Sequence, residues 1–176
     1  MKNTKKLPYY LFAIIIFTML KITYYFSTTQ DLVFILKPID KIIELLTGTK
    51  SVYNPANGYY HENLDILIDK SCSGFNFWIL SFLIFTYLTL KHVDTRLIKI
   101  IYLPISLIGT YLLTIFVNSS RIFTSIVIQN QTRNMVEQQH FIHESIGIIT
   151  NVSFLVLCYV LTEKYLTKKR ANAKFA

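Results

Sequence analysis

Charge is the scarcest commodity in this 176-residue chain: Asp, Glu, Lys and Arg together make up 16% of it, while 52% is hydrophobic. A water-soluble domain of that composition would expose an untenable apolar surface, which excludes the soluble class. Cysteine is nearly absent, with only Cys72 and Cys158 present, so a disulfide-stapled scaffold is excluded. There is no internal repeat, no low-complexity tract and no diagnostic metal-ligand spacing; a site built from Cys72, His140 and His143 has no recognisable pattern behind it. No small-x-small cleavage pattern follows the first apolar run, where Lys21-Ile22-Thr23-Tyr24-Tyr25-Phe26 stands instead, so this run reads as a retained helix and not as a signal peptide.

Long apolar stretches are what the chain does have. Leu7 to Tyr25, Phe75 to Leu90, Ile100 to Val117 and Ile146 to Leu161 each approach the roughly 20 residues that cross a hydrocarbon core of about 30 Å. The expected fold is an all-α polytopic membrane protein with about four transmembrane helices and a small extracytoplasmic cap that includes an interfacial helix and a short hairpin. Lysine and arginine set the orientation. With both termini inside, the inner side collects Lys2, Lys5 and Lys6, then Lys91, Arg96 and Lys99, then Lys164, Lys168, Lys169, Arg170 and Lys174. The outer segments hold Lys37, Lys41, Lys50, Lys70, Arg121 and Arg133, together with most of the acids. The net charge of +8 is then mainly a positive-inside rim meeting membrane lipid, and no nucleic-acid partner is expected.

The cap spans Ser27 to Ser71. Pro38 is expected to open a short interfacial helix with Ile39, Ile42, Ile43 and Leu46 on one face and Asp40, Lys41 and Glu44 elsewhere, ended by Gly48. Asn54-Pro55 and Asn57-Gly58 signal turns, and the alternation of Leu64, Ile66 and Ile68 predicts a hairpin or strand leading to Cys72. The organisation expected is an N-terminal transmembrane helix over 1–26, an interfacial segment over 27–58, a membrane core over 59–165 and a basic cytoplasmic tail over 166–176.

Three residues suited to acyl transfer sit at the outer ends of different spans. Cys72, in Ser71-Cys72-Ser73-Gly74, precedes Phe75; Ser71 or Ser73 can cap the helix that follows, and Gly74 permits close backbone approach. A helix N-terminus there would favour a thiolate, whereas the bland reading is a small residue in an ordinary cap. Arg121, in Asn118-Ser119-Ser120-Arg121, can hold an oxyanion or anchor lipid phosphate, with Asn118 one turn earlier to orient it. His140 and His143 enter the last span as proton-transfer candidates, while His61 belongs to the cap and His92 to the inner side. Cys158 lies about 22 Å along the helix from His143, too far for Cys72 to pair with it.

In their order, Cys72-Ser73-Gly74, Asn118-x-x-Arg121 and His143-x-x-x-Gly147 resemble the motifs of the exosortase/archaeosortase family of membrane-embedded cysteine transpeptidases. The resemblance covers roughly Tyr59 to Tyr165 and is to a short variant, exosortase K-like, since many members have more helices. It implies that Cys72 is the nucleophile, Arg121 the thiolate or transition-state stabiliser and His143 the general acid/base, with Asn118, Ser73, Gly74 and His140 in support. It also implies a substrate: an exported protein whose C-terminal sorting signal combines a short motif, a transmembrane helix and a basic tail. Cleavage through a thioester would end on water or on a cell-surface acceptor nucleophile, with no cofactor and no metal, at the outer face of a prokaryotic plasma membrane. The alternatives are a small transporter or channel subunit and a non-enzymatic envelope assembly factor.

Overall fold

The computed structural model describes residues 6–92, 96–131 and 139–172, the side chains of 96, 130–131, 139–144 and 169–172 excepted. Lys2, Lys5, Arg133 and Lys174, and the side chains of Arg96, His140, His143, Lys169 and Arg170, lie outside the described residues. Five α-helices are described: α1 (Leu7–Phe26), α2 (Val33–Thr47), α3 (Phe75–His92), α4 (Arg96–Gln131) and α5 (Gln139–Asn172). Between α2 and α3 come three short strands, β1 (Val52–Asn54), β2 (Gly58–His61) and β3 (Ile66–Ile68), and a 3-10 turn over Lys70–Ser73. Four helical stretches, Leu7–Phe26, Lys70–His92, Leu97–Gln129 and Ser145–Lys168, are long and apolar enough to cross a membrane, and this is an all-α polytopic membrane protein with a small sheet.

The chain divides into two compact units, 1–25 with 76–112 and 154–176, and 26–75 with 113–153. In the first, Ala13, Phe82 and Leu103 form a buried cluster flanked by Tyr9, Ile16, Leu83 and Leu107. Helix α1 buries only Ala13 among its 20 residues, leaving Leu11, Phe12, Ile15 and Met19 exposed. An apolar surface of that kind is stable against lipid and not against water. Two polar side chains here reach main-chain acceptors: Trp78 Nε1 donates to the Leu107 carbonyl at 3.0 Å, and Lys6 Nζ donates to the Leu90 carbonyl at 2.8 Å, capping the end of α3. Lys21 Nζ donates to Asn76 Oδ1 at 2.6 Å.

The second unit departs from expectation in three places. Helix α2 begins at Val33, five residues before Pro38, which lies inside it. The missing N–H removes only a single intrahelical hydrogen bond, and the turn is kept. The buried face is Ile35, Leu36, Ile39, Asp40 and Ile43; Leu46 is exposed and Asp40 is not. Asp40 is tolerated there because His61, also fully buried, meets its Oδ1 through Nε2 at 3.1 Å, while His61 Nδ1 pairs with Thr49 Oγ1 at 3.0 Å. Gly48, in the left-handed region at φ 70°, ends α2 as expected.

The hairpin proves to be a three-stranded antiparallel sheet in the order β1-β2-β3, with Val52 opposite Tyr60 and Tyr60 opposite Leu67. Asn54 Oδ1 accepts from Ala56 N at 2.9 Å and closes the turn signalled by Asn54-Pro55. Gly58, at φ 108°, passes so close to β3 that a Cβ there would overlap the Ile68 carbonyl oxygen.

The third difference is the length of the later helices. Helix α4 runs ten residues past Arg121, because Ile122 and Ile126 continue its buried face and no Gly or Pro intervenes.

Candidate functional site

The second unit contains Cys72, Asn118, Arg121 and Gly147, so all three motif segments contribute to it. Cys72 lies in the 3-10 turn ahead of α3. Asp69 builds that turn: its Oδ1 accepts from Ser71 N at 2.9 Å, Ser71 Oγ at 2.6 Å and Cys72 N at 3.3 Å. Gly74 then takes φ 66°, turning the backbone out of the 3-10 turn before α3 begins at Phe75. Cys72 thus lies just ahead of α3, with the left-handed Gly74 between its turn and the first residue of the helix. Ser73 does act as a local cap, its Oγ accepting from Phe75 N at 3.3 Å.

Asn118 clamps the turn from across the unit: its Nδ2 donates to the main-chain carbonyl of Cys72. The orienting role expected toward Arg121 is thus spent on Cys72. Gly74 makes this approach possible, for a Cβ there would lie 3.0 Å from Asn118 Cγ and 3.1 Å from Thr114 Cγ2. The thiol is 8% exposed, with Ser71 Oγ at 3.8 Å and the Leu67 carbonyl oxygen at 3.9 Å from Sγ.

Arg121 is one turn beyond Asn118 on α4, and its charge acts on Cys72 less strongly than the burial of the thiol does. Its Nε is buried without a hydrogen-bond partner among the described residues, as are Asn118 Oδ1, Ser119 Oγ and Ser125 Oγ. The guanidinium packs on the backbone of α5: a Cβ on Gly147 would sit 3.4 Å from Arg121 Nε and 3.6 Å from Cζ. Position 143 on α5 is one turn before Gly147, on the same side of the helix by the four-residue spacing. The side chains of His143 and His140 lie outside the described residues. Both cysteines are free, and no group of three metal-ligating side chains occurs among the described residues.

Comparison with protein-family models, with curated proteins and with solved structures finds no match for this chain.

Sequence reasoning overlooked Asp69 and Thr114. An Asp two residues before Ser71 and three before Cys72 is a capping signal, so Asp69 was there to be found. Thr114 carries no such sign; only the close pass of Gly74 against α4 gives it a part. Chemically, the assembly offers a thiol on a braced turn, a cation acting on it and buried polar atoms with unused hydrogen-bonding capacity.

Proposed function

We propose that this chain is a membrane-embedded cysteine protease or transpeptidase of the exosortase/archaeosortase kind. The observation that carries the reading is the clamp of Asn118 on the Cys72 carbonyl, with Arg121 seated on Gly147. Through it, segments separated by 46 residues between Cys72 and Asn118 meet at the main chain of the cysteine. Support comes from the motifs themselves, each of whose glycines meets the asparagine or arginine of the Asn118-x-x-Arg121 motif.

In the proposed reaction the Cys72 thiolate attacks the scissile carbonyl carbon of a peptide bond, and Arg121 stabilises the oxyanion that forms. The C–N bond then breaks, His143 gives a proton to the departing amine, and an acyl thioester remains on Cys72. Water or an acceptor amine attacks the thioester, losing its proton to His143 and releasing the sulfur. The substrate is an exported protein whose C-terminal signal carries its own membrane helix, which confines the search to the membrane plane and presents the cleavage point at the outer lip. The site then faces the extracytoplasmic side of a prokaryotic plasma membrane, with both termini in the cytoplasm.

Co-expression with a protein bearing such a signal tests this. Wild type is expected to process it, and Cys72→Ala, Arg121→Ala and His143→Ala at matched membrane abundance are expected to lose processing almost completely. Undiminished processing by Cys72→Ala ends the covalent mechanism.

A further inference from the structure

The three-stranded sheet leaves one edge of β3 open, and the orientation of its main chain can be derived. Successive residues of a strand turn their N–H and C=O groups to opposite sides. The Ile68 carbonyl faces β2, since it is the atom that a Cβ on Gly58 would strike. Ile68 and Ile66 therefore spend their main-chain groups on β2, opposite Tyr59 and His61. Leu67, between them, turns both its N–H and its C=O to the open edge, where no backbone partner meets them among the described residues. The Leu67 carbonyl is also the one 3.9 Å from Cys72 Sγ. The thiol thus stands at the outer edge of β3, beside the β3 residue whose main chain makes no backbone hydrogen bond among the described residues.

We propose that β3 is a docking edge for an extended peptide, which adds as a fourth strand through Leu67 and so brings a peptide bond to Cys72. This rests on the peptidase reading and supplies its mode of substrate binding. One residue of the incoming strand exchanges two main-chain hydrogen bonds with Leu67, accepting from its N–H and donating to its C=O. The donated N–H takes the acceptor that the thiol now faces. At a normal hydrogen-bond length of about 2.9 Å from that oxygen, the amide nitrogen and its attached carbonyl carbon fall within reach of the sulfur.

Side chains define the class of peptide. Val52, Tyr60 and Leu67 are directly opposite one another across the sheet, and all three are exposed. A ligand residue paired with Leu67 extends this row, and an apolar β-branched or aromatic side chain suits it best. The ligand is therefore an uncharged, extended segment with an apolar residue at the paired position.

The test uses the full chain in detergent, with Cys158→Ala so that only Cys72 reacts, and an N-chloroacetyl Val-Thr-Val-Thr amide as probe, in which the reactive carbon is joined through a carbonyl to the Val N–H that would meet Leu67. The rate of Cys72 alkylation is read by intact mass for the parent probe and for versions N-methylated at one amide each. Strand addition predicts an alternating pattern, with at least a tenfold loss at the amide that meets Leu67 and less than a twofold change at the adjacent one. A flat response, whether every methyl is harmless or every methyl is harmful, overturns the proposal. Leu67→Pro removes the edge N–H at a position where proline fits a sheet edge. It should slow the peptide probe about tenfold and leave iodoacetamide labelling within twofold; if peptide and iodoacetamide are both unaffected, the docking edge is refuted. Should iodoacetamide labelling collapse as well, the methylation pattern on the unaltered strand decides. Cys72-dependent processing with a flat methylation series would leave the peptidase reading standing and remove the docking edge. An alternating series in a protein that processes no sorting signal would do the reverse.

Discussion

Asn118 does two things with one amide. Its Nδ2 holds the Cys72 carbonyl while its Oδ1 stays buried with no partner among the described residues. Removing the donor leaves a buried carbonyl unsatisfied, at a cost of about 1–3 kcal/mol, and frees the turn that aims the sulfur. Asn118→Ala is therefore expected to lower turnover about 100-fold, since a displacement of roughly 1 Å at a reacting atom costs that much. Asn118→Asp should fare no better, because a carboxylate oxygen would face the carbonyl oxygen. Folding is checked by thermal unfolding in detergent and turnover by processing of the sorting-signal protein. Retention of wild-type turnover by both would show that the clamp is only structural. Gly74→Ala attacks the same contact from the other side: the left-handed backbone costs an L-residue about 1–2 kcal/mol, and the new methyl meets Asn118 Cγ at 3.0 Å. Gly147→Leu should unseat Arg121, and a Leu variant as active as wild type would deny that packing any role. Asp69, Asn118 and Gly74 show how far residue chemistry is legible in advance. Capping and glycine permissiveness are local and can be read from neighbours, whereas the acceptor for Asn118 lies on another segment and cannot.

At the scale of elements, the short α2 and the sheet hold each other through Glu44. Lys41 donates to Glu44 Oε2 and Ser51 N to Oε1 at 3.1 Å, tying the helix to the chain just before β1. The Lys41 hydrogen bond, followed by that from the Ser51 backbone, holds the Glu44 carboxyl down at about 2, from an ordinary value near 4.5. The sign follows from the depressed value: the ionised form is the one the folded state prefers. The stability Glu44 contributes is complete above pH 4.5 and is lost as pH falls toward 2. Glu44→Gln should accordingly unfold at a lower temperature than wild type above pH 4.5, with the gap closing below it. A gap independent of pH would mean that the carboxylate charge is not what ties the two elements. The effect is modest, since the pair is open to solvent and screened. Here the sequence pattern misled, and for a physical reason. Asp40 was assigned to the polar face by its type, yet His61, distant in sequence and itself held by Thr49, supplies a hydrogen bond to its Oδ1 that lets it be buried. Likewise β1 has no alternation of its own to announce it; all three of its residues are exposed and it exists by pairing with β2.

The whole molecule is organised by where its charge is missing. Four apolar helical stretches and lysines gathered at chain ends and at the α3–α4 connection make a topology testable without any substrate. Cys72 is too buried to report sidedness well, so a chain with Cys72→Ala and Cys158→Ala carrying either Asn57→Cys or Thr167→Cys is the better probe, both positions being exposed. A membrane-impermeant maleimide on intact cells is expected to label the Asn57→Cys protein at once and the Thr167→Cys protein only after permeabilisation. The opposite order would put the thiol on the cytoplasmic side and remove the proposed access of exported substrates. A wholly apolar cavity of about 560 Å³ in the first unit, lined by Ala13, Leu83, Ile84 and Leu155 among others, contains nothing that could serve the chemistry.

Sequence alone settled the class of the fold and the approximate spans. Hydrophobic length and charge scarcity act locally along the chain, and lipid leaves a helix no alternative way to satisfy its backbone. Tertiary structure decided the rest: that Asn118 serves Cys72 and not Arg121, that Gly74 lets Asn118 in, that Arg121 packs on α5 at Gly147, that α4 carries on past Arg121, and that the thiol lies beside the outer edge of β3. Each of these depends on which atoms from remote segments come within a few ångströms. Contacts of that range are set by packing and not by any pattern a single segment carries.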